Sequence, residues 1–496
     1  MKDYRFPQEI RELIIESLPQ DTAVFGQTPD LRYTFMPTGH SRALHPDAML
    51  AVGIRGAGKS FWWTVLQSKE HRQMVAHLLP KSGISETTKI SVGFGERSSP
   101  DDYPGKDTLV QLSQQYDPRQ IWRTIALRKV IKGTGEESSL PASSWRDAVK
   151  WVVDQPETVE RILFRADQEL DQAGVHHLIL FDALDRTADD WPTMLKIIRG
   201  LLQVLLEFRS YKRIRPKAFV RPDHLEDTKT IDFPDSSKVL SQKVELRWPR
   251  SELYGLLWQY LSNEPSRGML FREGCQDNLG LSWNQYRDVW TVPDKLRNEE
   301  ETQRTIFHSI TGPWMGRDRR RGFPYTWLPN HLGDASGQVS PRSFLAAIRH
   351  AAGDNLRPDY AYPLYYESIK RGVQEASRIR VREMQEDYPW VDILMKQLSG
   401  LTVPCRFEEI SRRWEAENIL NRLQDDIALA GVTSTAAEIV KLPPVHLKEG
   451  PAGIRQDLET LGVFERMTDD RVNLPDVYRV GYGLGRKGGV KAVARK

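Results

Sequence analysis

Short apolar runs bounded by turn residues recur through the first half of the chain, with longer stretches of helical spacing between them. The runs are MLAVGI (49–54), TKISVGF (88–94), HLILFDAL (177–184), KAFVRP (217–222) and KVELRW (243–248), each of strand length. Strands alternating with helices predict an α/β fold, a parallel sheet with crossover helices over residues 47–248. Ahead of it, residues 1–46 open with Ile10, Leu13, Ile14 and Leu18 on one helical face and continue into a Pro/Gly-rich connection, a helical extension.

The second half loses the strand pattern. Residues 249–361 read as helices: Pro249 and Ser251 start one whose apolar face carries Leu253, Leu256, Leu257 and Tyr260, and another begins near Pro341 after the loop GRDRRRG (316–322). Residues 362–388 form one long charged helical pattern, a connector. In 389–496, WVDILMKQLSG, CRFEEISRRWEA and PAGIRQDLETLG are helical, the last with Ile454, Leu458 and Leu461 in register and Gly462 as its stop. VFERM, the turn TDD and RVNLP follow, and three helices before a two-stranded hairpin is the order of a winged helix.

Composition narrows the class. At 496 residues, the chain suits about three folding units at the usual domain size. Hydrophobic residues make up 39%, charged residues 28%, and the mean hydropathy is −0.53, a globular balance. The N-terminus MKDYRFPQEI lacks the apolar region of a secretory signal and no run reaches a membrane span, so the cytoplasm is the expected compartment. Cys275 and Cys405 stand outside any CxxC spacing, which excludes a disulfide framework or a zinc knuckle. A net charge of +3 is too small to imply nucleic-acid binding by itself, so such binding would need local patches.

The chemistry starts at Gly53-Ile54-Arg55-Gly56-Ala57-Gly58-Lys59-Ser60, a full G-x-x-x-x-G-K-[ST] match between an apolar strand and the helical SFWWTVLQ. Glycines let backbone N–H groups curl around a β-phosphate, with the helix N-terminus adding its positive end. Lys59 then bridges β- and γ-phosphates of ATP and the Ser60 hydroxyl ligates Mg²⁺; the binding set is Gly53, Arg55, Gly56, Ala57, Gly58, Lys59, Ser60 and Phe61. About 120 residues later LILFD closes on Asp182, a carboxylate placed to hold the same metal. The next residue is Ala183 rather than a second acid, which makes Asp185 the candidate to orient the attacking water; its alternative role is to cap the following helix. At the tip of the next strand, Arg221 or Asp223 can sense the γ-phosphate, and Arg342, opening the helix after Ser340-Pro341, can couple phosphates to lid closure.

Other arginines have looser assignments. Arg186, and Arg317, Arg319, Arg320 and Arg321, can act in trans on a neighbouring subunit's nucleotide or simply face solvent. The segment RVGYGLGRKGGVKAVARK (479–496) holds six basic residues, five glycines and no acid, and reads as a flexible cationic tail suited to DNA phosphates, with Arg455 and Arg466 beside it. Winged helices also dock proteins, so double-stranded DNA and a protein partner both stay open. His176-His177, Trp62 and Trp63 read as structural.

At GIRGAGKS, LILFDALDR and SPRSFL the chain resembles the additional-strand P-loop ATPases of the AAA+/STAND/KAP-like group. The resemblance implies a P-loop NTPase sheet, a helical lid and a C-terminal winged helix, with Asp182 and Asp185 as metal and catalytic acids and Arg342 as the lid's sensor arginine. It further implies an ATP-driven, oligomeric switch that controls a partner protein or effector, of the kind found in bacterial stress, plasmid or phage-defence systems. A DNA-binding ATPase of the initiator or transposition-regulator type is the alternative, and a nucleotide-binding scaffold that barely hydrolyses is a third.

Overall fold

The computed structural model describes residues 4–20, 28–134, 140–225, 228–354, 356–430 and 442–486. Contacts divide the chain into two units, one of residues 23–31 and 36–247, the other of residues 1–22, 32–35 and 248–496.

In the first unit, five strands form one sheet: β1 (Leu50–Val52), β2 (Lys89–Phe94), β3 (His177–Phe181), β4 (Ile214–Val220) and β5 (Val244–Glu245), in the order β2-β3-β4-β1-β5. Each neighbouring pair is parallel, so all five strands end at the same edge. β4 lies between β1 and β3, so the strand that leads into the glycine loop and the strand that ends at Asp182 are not neighbours. Every residue of β3 is buried, which is why its sequence is unbroken HLILF: a parallel strand covered on both faces has no polar side. His177 at its start is buried too, its Nε2 2.8 Å from the Ser91 hydroxyl.

Trp122, in the helix Pro118–Thr134, sets how the helices cover β2 and β3. Its ring meets Phe94 and Phe181 edge-on at 5.7 and 5.4 Å, and its Nε1–H donates to the Ile197 carbonyl at 2.8 Å. Ile197 lies on the helix Trp191–Glu207, so one indole ties two helices to two strands. The helices touch at Gly200, where a Cβ would come within 2.6 Å of the Arg119 nitrogen.

The second unit is helical around Tyr254, whose ring stacks on Tyr325 at 4.4 Å and packs against Phe307 and Phe344. The helix Ile10–Ser17 and residues 32–35 belong here: Tyr33 stacks on Tyr260, and Phe35 fills the space opposite Gly255. Against the expectation of helices alone over 249–361, a small antiparallel hairpin occurs, β6 (Asn284–Tyr286) with β7 (Val289–Thr291). Its turn is Arg287-Asp288 with Arg287 at φ 55°, a turn chemistry no Asn-Gly signal announces. Asn263 holds it from the side, accepting from the Trp290 N–H and donating to the Trp290 carbonyl, both at 2.8 Å.

The long helix Tyr366–Asp387 buries Ile369, Val373, Ala376, Val381 and Met384 despite its charged sequence. Its closest neighbour is the helix Pro341–Gly353: at Gly372 a Cβ would stand 2.1 Å from the Ala347 carbonyl oxygen. Gly372→Ala, which in an open helix would gain about 1 kcal/mol, is therefore expected to lose about 2 kcal/mol by forcing two helices apart. Equilibrium urea unfolding measures this, and a stabilised Ala variant would sink the close-contact account.

At the C-terminal end, the helices Pro389–Lys396, Phe407–Ala416, Ile419–Ala430 and Gly450–Thr460 precede the antiparallel pair β8 (Glu465–Arg466) and β9 (Val472–Asn473). Cys405 pairs with Val472 through two backbone bonds and adds a third short rung. The flexible-tail expectation fails over 479–486. Arg479 is 1% exposed and bound to Asp476 at 2.7 Å, and Tyr478, Val480, Tyr482 and Leu484 are buried around it. Those aromatic and aliphatic side chains alternate with glycine and form a packed helix and turn. The rest of the basic run, 487–496, lies outside the described residues. Among the described residues, no helix is long and apolar enough to cross a membrane.

Candidate nucleotide site

Because the sheet is parallel, the residues that follow its strands collect along one edge: Gly53 after β1, Asp182 after β3, Arg221 after β4 and Leu246 after β5. Neighbouring strands are about 4.8 Å apart, so the ends of β1 and β3 stand about 10 Å apart, with β4 between them. Backbone pairing continues past the strand ends. Gly53 N–H donates to the Val220 carbonyl at 3.1 Å, and Leu246 N–H to the Val52 carbonyl at 2.7 Å. The start of the loop is thus fixed on both sides.

The loop turns through glycines at positive φ, Gly56 at 79° and Gly58 at 98°, conformations that exclude most side chains. At Gly53 the constraint is space: a Cβ would be 3.1 Å from the Ala57 Cβ and 3.3 Å from that of Leu246. Gly58 caps the helix Lys59–Gln67 without a side chain, so no side-chain oxygen competes for the N–H groups of its first turn. Ser60 is exposed there; Arg55 and Phe61 are partly buried, and the Phe61 ring packs edge-on against Trp62. Trp62 is anchored by donating to His40 Nδ1 at 3.0 Å.

Lys59 folds back on the loop, its ammonium donating to the Gly53 and Ile54 carbonyls at 2.8 and 3.1 Å. Burial, then the nearby Arg221 guanidinium, push its pKa down to about 8, against the pull of Asp182 and Asp185. Asp182 is 4% exposed. Burial raises its carboxyl above the usual range, while a hydrogen bond with the Ser60 hydroxyl and the charge of Lys59 oppose that rise. Ser60, Lys59 and Asp182, named separately from the sequence, therefore meet in one cluster. A hydroxyl and a carboxylate fit Mg²⁺, which takes one or two protein oxygens and fills its sphere with phosphate and water.

Directly after Asp182 the chain reverses through Ala183, at φ 55° and ψ 38°, a left-handed turn costing a non-glycine residue about 1 kcal/mol. The turn sends Asp185 toward β4, where Arg221 Nη1 stands 3.9 Å from its carboxylate. Burial works to raise the Asp185 carboxyl, but the charges of Arg221, His224 and Lys59 together hold the group below the usual carboxylate range. Arg221 is itself forked onto Asp223, at 2.9 and 3.2 Å. Arg186, one residue further along the turn, pairs with Glu96 beyond the end of β2. Glu96 escaped the sequence reasoning, although an acid closing the TKISVGFGE run is a signal of the same kind as Asp182.

Arg342 belongs to the helical unit, where it pairs with the buried Glu383 at 2.5 Å; Glu383 also faces Arg380 at 3.4 Å. Arg317, Arg319, Arg320 and Arg321 are exposed around a short turn capped by Asp318. Arg455 and Arg466 both bind Asp470, at 3.2 and 2.9 Å, and Arg455 also binds Glu459.

No protein-family model matches the chain, and no curated protein matches it. Solved structures similar to it include two archaeal proteins. One is the ORC2 protein of Aeropyrum pernix in ADPNP-ADP complexes, 13% identical over 95% of this chain and 98% of that one, with a TM-score of 0.30. The other is Cdc6p from Pyrobaculum aerophilum, 10% identical over 86% and 83%, with a TM-score of 0.26. At such identities no residue role passes from either protein to this one.

Proposed function

We propose that the protein is a Mg²⁺-dependent ATPase of the P-loop type that works as a conformational switch, oligomeric and controlling a partner protein or effector. The observation that carries this reading is the Lys59–Ser60–Asp182 cluster at the mouth of a glycine loop, on the shared edge of a parallel sheet. In this reading the loop N–H groups hold the β-phosphate, and Lys59 exchanges its two carbonyl partners for β- and γ-phosphate oxygens. Ser60 and Asp182 hold Mg²⁺, which when bound neutralises charge building up on the phosphates. Arg221 touches the γ-phosphate with Asp185 and Asp223 fixing its direction.

A defence or stress setting belongs to this same proposal.

The test is ATP binding and its proton balance. Lys59→Ala is expected to weaken ATP at least about 100-fold, because a buried charged contact to phosphate is lost. In the wild type the free ammonium loses its proton as pH rises through about 8, below its ordinary 10.5, whereas phosphate binding requires it charged. Binding should therefore take up a proton above pH 8, and affinity should fall as pH rises further. Calorimetry in two buffers of different ionisation enthalpy reads the uptake. Proton release, or unaltered affinity in Lys59→Ala, would defeat the site.

A further inference from the structure

Hydrolysis needs a base beside the attacking water, and Ala183 holds the place after Asp182 where such a group is missing. Asp185 has a different engagement: its carboxylate faces Arg221, 3.9 Å away, and that arginine is forked onto Asp223. Resting on the ATPase reading above, we propose that Glu96 is the catalytic carboxylate, orienting and deprotonating the water that attacks the γ-phosphate.

Three observations place it. β2 and β3 stay paired beyond their last residues, with the Asp182 N–H donating to the Phe94 carbonyl at 3.1 Å, and Glu96 follows two residues after that carbonyl. Gly95 sits flat on Trp63, where a Cβ would be 2.5 Å from the indole. Trp63 lies one turn into the helix that opens with Lys59 and Ser60, so the backbone at Glu96 is wedged between the acid-bearing strand and the phosphate-binding helix. The bulge between Val92 and Phe94 sets this approach: Gly93 lies against the Phe181 ring, where a Cβ would come within 2.4 Å.

The carboxylate is not idle meanwhile. It pairs with Arg186, whose side chain is 54% exposed against 24% for Glu96, so solvent and salt screen the pair from the arginine side. Arg186 thus serves as a removable partner, holding Glu96 until a nucleotide is present. In the reaction, the water oxygen bonds to the γ-phosphorus as the bond from phosphorus to the β–γ bridging oxygen breaks. The electron pair of that bond leaves on ADP, the water proton passes to a Glu96 oxygen and from there to solvent, and inorganic phosphate is the second product.

Full-length protein carrying Glu96→Gln should bind ATP within about threefold of wild type while kcat falls about 100-fold or more. Glu96→Asp, which keeps the charge facing Arg186, should bind normally with an intermediate kcat, and it decides the matter should the Gln variant fail to fold. Wild-type kcat in Glu96→Gln or Glu96→Asp, with Asp182→Asn inactive, overturns the role of Glu96 and leaves the ATPase reading standing. A wild-type protein that neither binds nor hydrolyses ATP, with Lys59→Ala as control, brings down both.

Discussion

Asp182→Asn is expected to stop ATP hydrolysis, by about 10³-fold, while ATP affinity without metal changes little. The side chain is one of the two proposed to hold Mg²⁺, and an amide oxygen carries no charge to hold it. The same change should not weaken the fold. Burial raises the Asp182 carboxyl, so in the folded protein the charged form is disfavoured relative to the unfolded chain, and stability falls as pH rises through its titration. A neutral isostere relieves that cost, and thermal unfolding without nucleotide should occur at the wild-type temperature or above. Phosphate release, nucleotide titration with and without Mg²⁺, and a melting curve separate the three statements. A variant that loses activity and also melts early would mean that Asp182 holds the edge of the sheet together rather than a metal.

What could be read from residues alone follows from how local each constraint is. β3 was legible because a strand covered on both faces must be apolar throughout, and the glycine loop because φ above zero and close backbone approach select glycine. Glu96 was not, since its significance depends on β2 lying beside β3, an ordering that spacing along the chain does not encode. The contact of Asp185 with Arg221 has the same origin: it needs β4 beside β3 and the left-handed turn at Ala183. Residues 32–35 join the helical unit through Tyr33 on Tyr260 and Phe35 against Gly255, packing no local period announces. Over 479–486, glycine content suggested a flexible tail, whereas the aromatic and aliphatic residues between the glycines decide the outcome by burying themselves.

Lys217→Met should be the most damaging single change to the sheet unit, at about 4 kcal/mol, from stranding buried carbonyls. Lys217 lies on β4 with no exposed surface, and its ammonium donates to the carbonyls of Ala43, His45 and Ala48, the first two at 2.8 and 3.0 Å. An ammonium has three N–H donors and here meets three carbonyls, all on the segment that feeds β1 and so sets where the glycine loop begins. Methionine matches the length and offers no donor. Burial pushes the lysine down to about 7 from its ordinary 10.5, so above pH 7 the unfolded chain binds more protons than the folded one. The wild type therefore gains stability from this residue as pH rises from about 7 toward 10.5, and the methionine variant does not. Denaturant unfolding of both proteins at pH 6.5 and pH 9 should show a gap that widens at the higher pH. An equal gap at both would mean that the amine stays fully charged in the fold. No gap at either would mean that the three carbonyls find other donors and that the strand bearing the loop is positioned without Lys217.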